Sequence, residues 1–178
     1  MLIAAVSVLT LATAAMIFAR DERTVSTPKW PAFSEFRGFE SWPVISMSQN
    51  HGKYAVILGN PVIIAAFRSG VPGNGKPFPD GSRIAKIHWD PKTQEAEPGK
   101  PVVPGALDNV DFMVKDGARF ADSGGWGYAA FEYGVRSGTF RPDNLTDSPP
   151  QGNDAKCGFA CHTIASSRDF VFTEYAKR

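Results

Sequence analysis

The stretch that constrains this chain most is Cys157-Gly158-Phe159-Ala160-Cys161-His162, which holds the only two cysteines of its 178 residues. On a helix, residues four apart share a face, so the two sulfurs would stack along one side with the imidazole beside them. Two thiols can add to the two vinyl groups of a porphyrin, and an adjacent imidazole can bind its iron from one side. The pattern reads as covalent haem attachment in a C-x-x-x-C-H form, with one residue more between the thiols than the usual C-x-x-C-H. A disulfide between Cys157 and Cys161 is the plain alternative, though it leaves His162 unexplained. Zinc is a poorer one, because a closed structural site takes four ligands and the motif offers three. The spacing excludes a C-x-x-C redox motif.

The other end of the chain bears on where such chemistry can happen. Residues 2–19 (LIAAVSVLTLATAAMIFA) carry no charge. They read as a secretory signal, with Ala12, Ala14 and Ala19 as candidate cleavage points. The region before them lacks Lys and Arg, so an uncleaved anchor at the short end of spanning length is the rival reading of residues 1–19. Either way the expected location is periplasmic or otherwise extracytoplasmic. Such a location suits both thioether-bound haem and a disulfide. The formal charge of +1 gives no sign of a nucleic-acid partner.

Residues 20–36 are polar, with Pro28 and Pro31, and read as a linker. Residues 37–178 then form the expected domain. Asn60-Pro61 is a helix start signal, because Asn caps and Pro is tolerated at the first helical position. The predicted helix runs from Pro61 to Arg68 and stops at Ser69-Gly70. Strands are predicted over Lys53–Gly59, Ser82–Trp89, Asn109–Lys115 and Gly125–Tyr133, from β-branched and aromatic runs bounded by turn residues. Residues 90–104 are polar and proline-rich, a long loop or an irregular hairpin. The pattern is strands first, one short helix among them and a cofactor helix from Lys156 to about Ser166. That predicts α+β: mainly antiparallel sheet with a short helix in the middle and a C-terminal haem-binding helix.

The segment CGFACHTIASSRDFVFTEY resembles the carboxy-terminal signature of the cytochrome P-460 family, which includes the cytochrome c-prime-beta proteins. The resemblance continues in Thr163 and in the run Asp169-Phe170-Val171-Phe172-Thr173. Weaker pieces lie upstream, in Phe78-Pro79-Asp80-Gly81 before the strand with Lys86 and in Gly124-Gly125-Trp126-Gly127. By that resemblance, haem c would be held through Cys157 and Cys161, with His162 as the proximal iron ligand and the opposite iron face open. Members of the P-460 type also join a lysine to the porphyrin and oxidise hydroxylamine. The c-prime-beta members lack that link and bind gases such as nitric oxide. The resemblance further implies a homodimer and a redox partner protein.

Lys86 is the candidate linking lysine, since it shares a strand face with Ile84 and His88; Lys76 and Lys92 are weaker candidates. An ordinary solvated strand lysine is the plain reading of Lys86. Glu132 is the candidate distal base, because oxidation of hydroxylamine needs a proton acceptor near the iron. Its plain reading is an outward-facing residue on a half-exposed sheet. Arg68, Arg83 and Arg136 are candidates to neutralise haem propionates. His88 would make an electron carrier if it were a sixth ligand. Trp126, Tyr128, Phe131 and Phe140 can wall a haem or simply fill a core.

Overall fold

The computed structural model describes residues 31–143 and 155–177. The expected signal or anchor at residues 1–19, most of the expected linker and residues 144–154 lie outside the described residues. Six strands form one antiparallel meander in chain order. They are β1 (Val44–Asn50), β2 (Lys53–Gly59), β3 (Arg83–Thr93), β4 (Val102–Lys115), β5 (Trp126–Gly134) and β6 (Thr139–Pro142). Helix α1 (Pro61–Arg68) lies between β2 and β3, and helix α2 (Ala155–His162) runs into a 3-10 segment over Thr163–Arg168. The architecture is the α+β arrangement expected.

Helix α1 starts where the Asn60-Pro61 signal puts it. The Asn60 Oδ1 accepts the Ile63 N–H at 3.2 Å, satisfying an orphan donor of the first turn. The same side chain accepts the Arg83 N–H at 3.1 Å and donates to the Gly81 carbonyl at 2.8 Å. One residue thus caps the helix and ties it to the start of β3. The helix buries Ile63, Ile64 and Phe67 against one face of the sheet.

Period-two alternation gives the sheet two apolar faces. The first carries Ile57, Ile84, Met113, Trp126 and Tyr128, covered by α1 and by Val171 of the C-terminal segment. The second carries Leu58, Ala85, Val110, Phe112, Ala129 and Phe131. It is covered by the turns around Phe33–Phe36 and Phe39–Ser41. Phe36 is fully buried there and stacks on Phe112 with centroids 4.0 Å apart. The folded body therefore begins before residue 37, and residues 31–36 do not behave as the end of a linker.

Two strands escaped the sequence reading. The β1 sequence VISMSQN has few large apolar residues because it is an edge strand, and β6 has only four residues. Residues 90–104 resolve as a hairpin, since β3 and β4 stay paired out to Thr93 and Val102. Pro91 and Pro104 face each other there across a register irregularity, where missing ladder donors cost least.

Candidate functional site

The site is built on the first face of the sheet. In β3 the alternation puts Ile84, Lys86 and His88 on that face. The strand register sets their neighbours. Ile84 faces Met113, Lys86 faces Asp111 and His88 faces Asn109. One strand further, Met113 faces Tyr128, Asp111 faces Ala130 and Asn109 faces Glu132. The face therefore grades from apolar at the Tyr128 end to polar at the Glu132 end.

Helix α2 crosses the apolar end. Gly158 lies directly on Tyr128, where an added Cβ would come within 2.8 Å of the tyrosine side chain. Only glycine allows so close an approach of helix to sheet. His162 follows at the end of the helix, its ring 5.2 Å from Tyr128 and 5.0 Å from Phe172. Its Nδ1 lies 2.6 Å from the Phe170 carbonyl oxygen. A carbonyl only accepts, so Nδ1 carries the proton and Nε2 keeps its lone pair. Burial pushes this imidazole below its ordinary value, partly opposed by the Phe170 carbonyl; the Lys86 charge lowers it further and that of Asp111 raises it. A neutral imidazole with a free Nε2 and an anchored Nδ1–H is what an iron ligand requires.

The same cavity, about 120 Å³, is lined by His162, Gly158 and Tyr128 on one side and by Lys86 and Asp111 on the other. Ile57, Ile84, Met113 and Phe172 complete most of its wall. The Tyr128 hydroxyl is buried without a hydrogen-bond partner among the described residues. Burial, and secondarily the charge of Asp169, holds it strongly in the protonated form. The Lys86 amine makes no hydrogen bond or ion pair with any described residue. Asp111 is held from both sides: the His88 Nε2–H donates to Oδ2 at 2.9 Å and the Asn109 amide to Oδ1 at 2.9 Å.

Cys157 and Cys161 are both free and exposed on α2. The donor set suits haem c: two accessible thiols one helical turn apart, an oriented imidazole and an unpartnered buried hydroxyl beside it. The cavity is smaller than the roughly 300–1,000 Å³ of ordinary cofactor-sized pockets. Among the described residues, no group of three or more His, Cys, Asp and Glu side chains is arranged to hold a metal ion.

The remaining candidates separate by face and by partner. Glu132 shares the face with Lys86 but does not line the cavity, and it forms an ion pair with Arg141. Its neighbour Asp143 is raised above its ordinary value, first by burial and then by the Glu132 carboxylate. His88 is committed to Asp111. Phe131 and Phe140 belong to the opposite core, one residue out of phase with Tyr128. Trp126 is fully buried beneath Phe78 on the site's face but outside the cavity wall. Arg68 sits at the exposed end of α1 and Arg136 in the turn before β6. Arg83 lies towards Glu35 on the second face, and Lys76 and Lys92 are on exposed segments.

Asp111 is the residue sequence reasoning missed. A carboxylate in the middle of the apolar run NVDFMVK was as notable as Glu132 in its own strand. Only the pairing with Lys86 distinguishes the two.

No protein among the curated ones compared matches the chain. Among protein families, Cytochrome P460 matches residues 36–173, a range that begins at buried Phe36 and closes within the Asp169–Thr173 run beside His162. The chain belongs to the cytochrome P460 family of c-type haem cytochromes.

Proposed function

We propose that this chain is an exported monohaem cytochrome with an open iron face that oxidises a small nitrogen compound, hydroxylamine first among the candidates. The observation that carries the reading is that Lys86 and Asp111, strand partners, share one cavity with His162. Cys157 and Cys161 would hold the haem through thioethers, and His162 Nε2 would bind the iron. When bound, haem supplies a site for the substrate nitrogen and an acceptor for its electrons.

The chain's own residues supply the rest. The Lys86 amine, on the cavity wall and without a partner among the described residues, is the candidate for the lysine link to the porphyrin. Oxidation of hydroxylamine releases protons as well as electrons, and a positioned base speeds such steps. Asp111 is that base, with a proton taken on a carboxylate oxygen. His88 and Asn109 fix its orientation, one on each oxygen. Glu132, engaged by Arg141, is left with a structural role. Electrons pass on to a redox partner protein, and a homodimer is the expected assembly. Export rests on the apolar segment at residues 2–19; no helix among the described residues is long and apolar enough to cross a membrane.

A second reading, nitric oxide binding without turnover, draws on the apolar wall of Ile57, Ile84, Met113 and Phe172. Electron transfer through a six-coordinate haem is disfavoured because His88 already donates to Asp111.

The reduced optical spectrum of the purified protein, with a peptide map of the denatured chain, tests the proposal. The expected result is a Soret band far to the red of ordinary haem c, Lys86 recovered in a haem-linked peptide, and turnover of hydroxylamine. An ordinary band, an unmodified Lys86 and nitric oxide binding would replace the enzyme with the gas binder. A colourless protein would end both.

A further inference from the structure

Two consecutive residues after the 3-10 segment, Asp169 and Phe170, have positive φ of 50° and 64°. Non-glycine residues seldom adopt this conformation, and it persists only where the surroundings hold it. The turn reverses the backbone at the end of the helical region. It brings the Phe170 carbonyl back to the His162 Nδ1 at 2.6 Å, while the Phe170 N–H donates to the Ala165 carbonyl at 2.9 Å.

What holds the turn is a nearly buried ion pair. Lys115 Nζ donates to Asp169 Oδ1 at 2.7 Å, and the two side chains are only 9% and 12% exposed. Lys115 also donates to the Gly124 carbonyl at 2.8 Å and lies over the Trp126 ring, 5.2 Å from its centroid. The other Asp169 oxygen accepts the Phe78 N–H at 2.8 Å. On the ring side, Gly124 makes the room. A Cβ there would lie 2.2 Å from the Phe170 ring. Three separate parts of the chain therefore converge on one reversed turn, whose inward-facing carbonyl touches the histidine.

We infer that Lys115 and Asp169 are positioning residues for the axial histidine: their ion pair fixes the Asp169–Phe170 turn so that the Phe170 carbonyl holds His162 Nδ1–H and raises the basicity of Nε2. The inference rests on the assignment of His162 as iron ligand. An acceptor on the far nitrogen of a ligating histidine orients the ring and strengthens its donation to the metal. Without the pair, the turn relaxes towards ordinary backbone angles, the hydrogen bond lengthens and the iron–histidine bond weakens.

The test uses the full haem-loaded chain and the iron–histidine stretching band of the ferrous protein, read by resonance Raman, with the reduction potential and Tm alongside. Two variants are compared with the parent. The double variant Lys115→Met with Asp169→Asn leaves no buried charge unpaired. The variant Gly124→Ala keeps both charges and displaces the Phe170 ring instead, so one failure to fold does not leave the question open. Both are expected to move the band to lower frequency and the potential upward. If either variant folds and loads haem with a lowered Tm but an unshifted band and potential, the pair is a structural clamp only and the inference is overturned. If the parent itself shows no iron–histidine band, His162 is not the ligand, and the inference fails with that assignment.

Discussion

Lys86 and Asp111 stand directly opposite each other across β3 and β4, yet the Asp111 carboxylate is bonded to His88 and Asn109, while the Lys86 amine has no partner among the described residues. A lysine and an aspartate in register would ordinarily pair with each other. Here the carboxylate is oriented by His88 and Asn109, and the amine is left facing the cavity. In the proposed function, that separation leaves the carboxylate as the base and the amine as the linking group.

Asp111 should therefore matter to turnover far more than Glu132. Asp111→Asn is expected to lower kcat for hydroxylamine by about 10²–10⁴-fold, the usual contribution of a positioned base, with the optical spectrum unchanged. Glu132→Gln should leave the rate near that of the parent. Equal losses in the two variants would return the base to Glu132.

The Glu35–Arg119 pair predicts an acid-sensitive contribution to stability. Arg119 donates from both terminal nitrogens to Glu35, at 2.7 and 2.9 Å. Burial alone would raise this carboxyl, but the Arg119 hydrogen bond, the Ala32 N–H and the nearby arginine charges outweigh it and hold it below its ordinary 4.5. The folded state thus binds this proton less readily than the unfolded chain. Its stabilisation is full above pH 4.5 and is lost as the pH falls through the lower folded value. Glu35→Gln should cost about 2 kcal/mol at neutral pH, and the gap from the parent should close on acidification. Urea titrations at several pH values measure it; a gap that widens in acid would contradict the assignment.

Phe36 should behave as a core residue despite its place at the start of the domain. It is fully buried against Phe112. Phe36→Ala is expected to cost about 3–5 kcal/mol by denaturant unfolding, the range for deleting a buried phenyl ring. A loss below about 1 kcal/mol would mean that the Phe33–Ser41 segment is not part of the cooperative unit.

Asn60 should cost more than an ordinary cap. Asn60→Ala removes the acceptor for the Ile63 and Arg83 amides and the donor to Gly81. The expected loss is about 2 kcal/mol or somewhat more, since partnered groups are left unsatisfied. Asn60→Asp keeps the acceptor and should recover most of the loss. Equal Tm values for the two variants would show that the Gly81 bond dominates.

What the sequence determined by itself is what local chemistry dictates. The Asn60-Pro61 start, the four apolar strands and the α2 helix were legible because capping, alternation and helical spacing are properties of a few consecutive residues. The Cys157–His162 motif was legible for the same reason. The edge strands β1 and β6 were not, because an edge needs little apolar content to pair.

The functional contacts were decided only by tertiary structure. A charged residue in a strand reads the same whether it faces solvent or a cavity, so Lys86, Asp111 and Glu132 were equivalent until the register placed them. Alternation along β5 already separates Phe131 from Tyr128, but which of the two faces holds the cavity is set by what packs on the sheet. Lys115 and Asp169, 54 residues apart in sequence, meet only because β4 ends where the chain turns back beneath His162. Long-range pairing sets those positions, and no local pattern encodes it.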